Sequence, residues 1–200
     1  MKAVLISIRP KWCEKIVNGE KTIEVRKTRP KLQTPFKCYI YCTLPRYPHE
    51  DFIETDYPKP QFYGGGKVIG EFTCNRVTNL FSNSRFWLDE DDILHTCLSA
   101  AEMRKYANGA NGLYGWHISN LKIYDNPLEL SKFRVEDKAA IKACKHRFRA
   151  GQPEYVARHG GWLQGGWGCM KTGEPEWCEN CLTKPLTRPP QSWCYVYENN

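Results

Sequence analysis

The stretch LISIRPKWCEKIVNGEKTIEVR, residues 5–26, decides the fold. It reads as a strand, a short helix, a tight turn and a second strand. Residues 3–8 are apolar and β-branched, a strand signal. Pro10 suits the first turn of a helix, where its missing N–H has no partner anyway. Asn18-Gly19 ends that helix, with glycine taking the left-handed position past its C-terminus. Thr22 to Arg26 alternates, so the period of two puts Glu24 and Arg26 on one face and sends Ile23 and Val25 to the core. The turn thereby gathers Gly19, Lys21, Glu24 and Arg26 beside a chain reversal.

Outward from this unit, strands dominate. Residues 37–43 form a strand, and 67–80 form a long one in which Gly70 marks a bulge or a barrel corner. Gly64-Gly65-Gly66 is a hinge or tight turn and not a phosphate cradle, since no Lys-Ser/Thr and helix follow. Ser99-Ala-Ala-Glu102 is a capping box that predicts a helix over 100–107. Residues 113–118 and 121–130 read as two strands, the second held to an edge by Pro127. Residues 133–149 carry helical spacing, and 193–197 close the chain as a strand. Residues 44–63 are Pro-rich and acidic without a clear period, a surface insertion. The polar, rigid run RPPQSW, 188–193, is a candidate to border the cleft.

Two hundred residues suit one domain with a small appendage. Apolar content of 41% supports a core, and 26% charged residues exclude a disordered chain. The net charge of +7 makes a polyanion a natural partner. The first forty residues hold ten Lys or Arg against three Glu, whereas 49–56 and 89–92 are acidic, so one face is expected to be basic. The opening residues read as a strand and not as a secretory leader, and no apolar run approaches the roughly 20 residues of a membrane span. The expectation is a cytoplasmic protein whose ten cysteines stay reduced.

GEKTIEVR fits the pattern GxKxxExR with Gly19, Lys21, Glu24 and Arg26 at its four fixed places. With the preceding LISIRPKWCEKI and the later LYGWHISNLKIYDNPLEL, it resembles the ASCH domain, a branch of the PUA-like barrels. The resemblance covers about residues 2–135 and the last strand, and bacterial and phage proteins of this extended sort are similar. It implies an α+β fold, a small closed PUA-like β-barrel with short peripheral helices; the loop-rich C-terminal segment, a candidate to bind zinc on its cysteine spacing, is an addition to the minimal domain. The expected domains are the barrel over 1–135, a helical and Cys-rich insertion over 136–191, and a final strand and tail over 192–200. It also implies a cleft beside the first helix that binds RNA or a modified nucleotide.

In that cleft Lys21 and Arg26 are candidates to contact phosphate, Arg26 with a bidentate fork. Glu24 either orients Arg26, leaving Lys21 for ligand, or accepts hydrogen bonds from a base edge. Arg9 adds charge just before the helix. Trp12, Tyr114 and Trp116 are candidates to stack on a base, although alternating aromatics in a barrel ordinarily pack inside. The competing reading of Lys21, Glu24 and Arg26 is a surface ion-pair network worth little. A few members of the family hydrolyse RNA or acylated cytidine nucleosides. The amidohydrolases among them use a Lys, a hydroxyl residue three positions later and a distant Glu. Lys21 matches the first, but the position three later is Glu24, which departs from that chemistry; a hydrolase here uses Lys21 as a base, or Lys21 to steady phosphate charge with Glu24 or a His as base. A third reading is a protein-interaction module working through 44–63 and the tail.

Cys178-Glu-Asn-Cys181 has the two-residue spacing of a tetrahedral zinc knuckle. Cys169 and Cys194 complete a candidate structural zinc site, with Cys144, His146 and His159 as substitutes for Cys194. The alternative is a set of unrelated reduced thiols. Cys13, Cys38, Cys42, Cys74 and Cys97 are expected in the core.

Overall fold

The structure, a computed structural model, describes residues 2–44, 52–53, 62–82, 85–86, 90–143, 147–149, 167–169 and 183–198. The chain forms two units, a larger one of residues 2–130 and 188–195 and a smaller one of 131–187 and 196–200. In chain order the larger unit contains β1 (Lys2–Ile8), α1 (Pro10–Val17), β2 (Ile23–Arg26), β3 (Phe36–Cys42), β4 (Phe52–Ile53), β5 (Phe62–Tyr63), β6 (Lys67–Ser82) and β7 (Arg85–Phe86). It continues with α2 (Glu90–Thr96), α3 (Ala100–Ala107) and β8 (Gly112–Leu128). The smaller unit holds β9 (Phe133–Glu136), α4 (Lys138–Ala143), β10 (Arg147–Arg149), β11 (Trp167–Cys169) and β12 (Thr183–Pro185). The last strand, β13 (Trp193–Glu198), gives its first three residues to the larger unit and the rest to the smaller.

In the larger unit the strands run β13-β1-β3-β6-β8-β2, with β7 attached to β6. β1 and β3 are parallel, Val4 opposite Cys38, because α1 and β2 carry the chain back between them. β3, β6, β8 and β2 pair antiparallel. The register between β3 and β6 slips between Ile40 and Tyr41, opposite Gly70, which is the bulge expected there. Only glycine fits at this point: a Cβ on Gly70 would lie 2.4 Å from the Lys122 carbonyl oxygen.

The expected closed barrel is an open sheet. β1 is occupied by β3 on one edge and by the 188–195 segment on the other, where the Ser7 N–H donates to Ser192 O at 2.8 Å. No backbone edge of β1 is left for β2. The seam is crossed by a side chain instead, Arg26 Nη2 donating to Ser7 O at 2.6 Å.

Val4, Ile6, Ile8, Cys13, Ile16, Val17, Cys38, Ile40, Ile69, Phe72, Cys74 and Trp116 form the main core, each at most 2% exposed. Each fully buried Val, Leu, Ile or Phe side chain there contributes about 1.5–3 kcal/mol. Cys13, Cys38, Cys42 and Cys74 are buried as expected, whereas Cys97 is only partly so. A second cluster of Val25, Leu80, Met103, Ala107 and Leu113 seats α3. Its capping box is present: Ser99 Oγ accepts from the Glu102 N–H at 3.3 Å, and the Glu102 carboxylate accepts from the Ser99 N–H at 2.8 Å.

Other expectations change. β8 is one strand of 17 residues, continuing through Asn120 at φ +50°, where asparagine tolerates the left-handed region. Residues 133–149 are not one helix; β9 is a strand because it pairs with β12 and β13, and among the described residues of this stretch the α-helix is α4. Within 44–63, β4 and β5 pair and Ile53 is fully buried in the main core. α2 was not anticipated. Among the described residues no helix is long and apolar enough to cross a membrane.

The smaller unit is described by two pairings. β12, β9 and the end of β13 form an antiparallel ladder, pinned by Arg134, which donates to Thr183 Oγ1 at 2.7 Å and to Thr183 O at 2.6 Å. β10 and β11 form a separate antiparallel pair.

Candidate functional site

A cleft of about 830 Å3 opens beside α1. Its floor is the motif strand. α1 starts from Arg9 with Pro10 at its first position, and it ends at Asn18 and Gly19, φ +77°. The turn that follows, with Lys21 N–H donating to Lys15 O at 2.9 Å, turns Lys21 inward.

Lys21 is 2% exposed. Its ammonium donates to Ile23 O at 2.9 Å and Thr96 O at 2.6 Å and lies 3.4 Å from Glu24 Oε2. An ammonium has three donors, and these three contacts account for them. Glu24 Oε1 lies 3.0 Å from Arg26 Nη2. The three charges therefore form a buried row with one carboxylate between two cations. The surface-network alternative does not apply: Glu24 is 5% and Arg26 8% exposed.

The Thr96 contact explains α2. The last carbonyls of a helix have no partner within it, and a cation at that end is favourable. Lys21 caps Thr96 O, and the Thr22 N–H donates to His95 O at 3.1 Å. Thr96 is fully buried, its hydroxyl donating to Ile93 O at 2.7 Å. The sequence signal for this was faint: an acidic start at Glu90-Asp91-Asp92, followed by Ile93, Leu94 and His95.

The rim is basic. Arg9, Lys11 and Lys105 line the cleft with Lys21 and Arg26, five cations against the carboxylates of Glu24 and Glu102. Trp12 and Tyr106 supply aromatic walls, with the Lys11 ammonium 4.4 Å from the Trp12 ring centroid. Lys21 Nζ lies 5.3 Å from the same ring. The run 189–192 forms a further wall, fixed to β1 by Ser7 Oγ donating to Pro190 O at 2.6 Å. Among the described residues Arg26 Nε is buried without a hydrogen-bond partner.

Of the residues anticipated, Arg9, Trp12, Lys21, Glu24 and Arg26 meet here, and Tyr114 and Trp116 do not line the cleft. Trp116 is fully buried, edge-on to Phe36 and Trp193 at 5.9 and 5.8 Å between centroids. Tyr114 lies opposite Arg26 in the ladder, packs against the main core and sits under the Arg29 guanidinium at 5.9 Å. Glu71 is away from the cleft. Burial alone would raise its pKa, but bonds from Tyr124 and Lys37 outweigh this and hold it below the usual carboxylate value. Lys11, Lys105, Tyr106 and Thr96 were missed. The capping box placed α3, but nothing in the sequence indicated which face of α3 turns to the cleft.

Of the four candidate zinc ligands, Cys178, Cys181 and the Cys169 side chain lie outside the described residues, as do the substitutes Cys144, His146 and His159. Cys194 is partly buried in β13, where burial pushes its thiol up to about 11.

No family model matches the chain, and no curated protein matches its sequence. Solved structures do. ASCH from Zymomonas mobilis is 19% identical, covering 64% of this chain and 73% of its own, with a TM-score of 0.42. A Tyr-to-Phe variant of that protein gives 18% identity, 65% and 77% coverage, and a TM-score of 0.43. These structural neighbours are one ASCH protein and its variants.

Proposed function

We propose that the cleft is an ASCH-type binding site for a base-bearing anion, single-stranded RNA or a nucleotide, rather than for a peptide or a lipid. The observation that carries this is the pairing of an unused buried donor, Arg26 Nε, with a basic rim of Arg9, Lys11 and Lys105 and the aromatic walls Trp12 and Tyr106. Phosphate oxygens accept from the rim and from Arg26, while a base lies against an aromatic face, worth about 1–3 kcal/mol per base. A cleft of this size falls within the roughly 300–1,000 Å3 usual for small-ligand sites. Lys21 fits best as the residue that holds Glu24 and, through it, Arg26 in place.

The test is affinity and turnover on short RNAs and acylated cytidine nucleosides, with Lys11→Ala/Lys105→Ala beside the wild type. Saturable binding should weaken with salt, and the double variant should flatten the log–log salt slope by about 1.4, since each neutralised phosphate on a single strand contributes about 0.7. Absence of binding to every probe refutes the proposal. Product formation that disappears in Lys21→Met, with the circular dichroism spectrum kept, replaces it with the hydrolase reading. Zinc held by the C-terminal cysteines is also proposed, from the Cys178–Cys181 spacing alone. Native mass spectrometry should show one zinc per chain, and a metal-free chain refutes it.

A further inference from the structure

Resting on that reading, we infer that the cleft holds only part of its ligand, and that the flanking nucleotides of single-stranded RNA run along the loop after β2 to a second subsite. Three observations converge on that loop.

First, its cations sit on aromatic faces in sequence. Lys27, directly after the cleft-floor residue Arg26, has its ammonium 5.3 Å from the ring centroid of Tyr106, a cleft wall. Arg29, two residues on, lies 5.9 Å over Tyr114. The Tyr106 ring is exposed and Tyr114 partly so, and a cation on such a ring accepts phosphate while the uncovered ring surface accepts a base. Second, Lys27, Arg29 and Lys31 are all exposed, and none forms an ion pair with a described carboxylate. This differs from Lys15, Lys37 and Lys67, which pair with Glu20, Glu71 and Glu129. Third, the loop borders a second depression of about 400 Å3, lined by Arg29, Gln33 and Thr34 among others. Its polar side chains suit a sugar–phosphate, with Arg29 as the anion contact.

The step from Arg26 to Arg29 is three residues, at most about 10 Å of chain. The second subsite is therefore within reach of the nucleotide adjoining the one in the cleft. The loop is also held in place. The Lys31 N–H donates to Tyr195 Oη at 2.7 Å, and Trp193 Nε1 donates to Thr28 Oγ1 at 3.0 Å. This ordering lowers what an RNA would lose in fixing the loop on binding.

The test uses the full chain, a random-sequence RNA hexanucleotide and the four nucleoside 5′-monophosphates, read by calorimetry and by displacement of a labelled hexanucleotide. Wild type should bind the hexanucleotide at least about fivefold more tightly than the best mononucleotide, the gain of one further stacked base. Arg29→Ala should lower hexanucleotide affinity and its salt slope by about 0.7, leaving mononucleotide affinity unchanged. Lys132→Ala, in the smaller unit, is the control for general charge. Equal affinity for the two probe lengths, or an Arg29→Ala effect no larger than that of Lys132→Ala, overturns the track while leaving the cleft reading intact. Failure of both probe lengths to bind overturns the cleft reading and the track with it.

Discussion

Replacing Glu24 by glutamine removes the one carboxylate that lies between two buried cations. Its oxygens stand 3.4 Å from Lys21 Nζ and 3.0 Å from Arg26 Nη2. At an effective dielectric constant of about 20, each pair is a gross attraction of about 5 kcal/mol, largely offset by the desolvation of all three groups. The net value of keeping the row is therefore small, but the cost of breaking it is not. Glutamine preserves the shape and leaves two cations uncompensated in a site where Lys21 is 2% exposed. Breaking a buried pair in this way costs about 3–5 kcal/mol, a large share of a typical stability of about 5–15 kcal/mol. Urea unfolding at pH 7 followed by tryptophan fluorescence gives the number. Lys21→Met/Glu24→Gln should recover part of the loss, since only Arg26 then remains charged. A Glu24→Gln penalty under about 1 kcal/mol, with an unchanged denaturant slope, would refute the argument that the row is buried and mutually compensated.

Two further outcomes follow from geometry away from the cleft. Gly70→Ala should lower stability by about 1–3 kcal/mol, because its Cβ would meet the backbone oxygen of Lys122 at 2.4 Å and neither strand can yield cheaply; thermal or urea unfolding reads this. His117 is held neutral to lower pH than the usual 6.5, first by burial and then by the adjacent Arg76. Below pH 6.5 the unfolded chain then binds the proton more readily, so stability falls as the pH drops from about 7 toward the folded pKa. Urea unfolding at pH 7.5 and 5.5 should show this difference shrink in His117→Gln, and Arg76→Met should bring the His117 titration seen by NMR back toward its ordinary value.

The first strand–helix–strand unit was legible because each of its signals is local. Pro10, Gly19 and the alternation through Arg26 need only neighbours in sequence. The capping box at Ser99 and the bulge at Gly70 were legible for the same reason. What could not be read depends on partners far along the chain. Pairing Glu24 with Arg26 leaves Lys21 for ligand on the sequence alone; in the structure its ammonium donates to the nearby Ile23 O and to Thr96 O, 75 residues away. Burial turned the Lys21–Glu24–Arg26 row from a surface pattern into a cleft floor, and burial is a tertiary property. The open sheet was equally hidden, since it follows from the 188–195 segment taking the edge of β1. Trp116 followed the general preference of alternating aromatics for the interior, against its candidacy as a stacking residue.

The wall formed by 189–192 has a consequence for how the protein is made. Ser7 donates its N–H to Ser192 and its hydroxyl to Pro190, so β1 leaves the ribosome long before the segment that covers its edge, 183 residues further along the chain at Pro190. Until Ser192 has emerged, β1 presents an unpaired edge, a template for unwanted pairing with another chain. A nascent chain stalled before residue 188 carries every residue of the GxKxxExR motif and yet lacks this wall of the cleft.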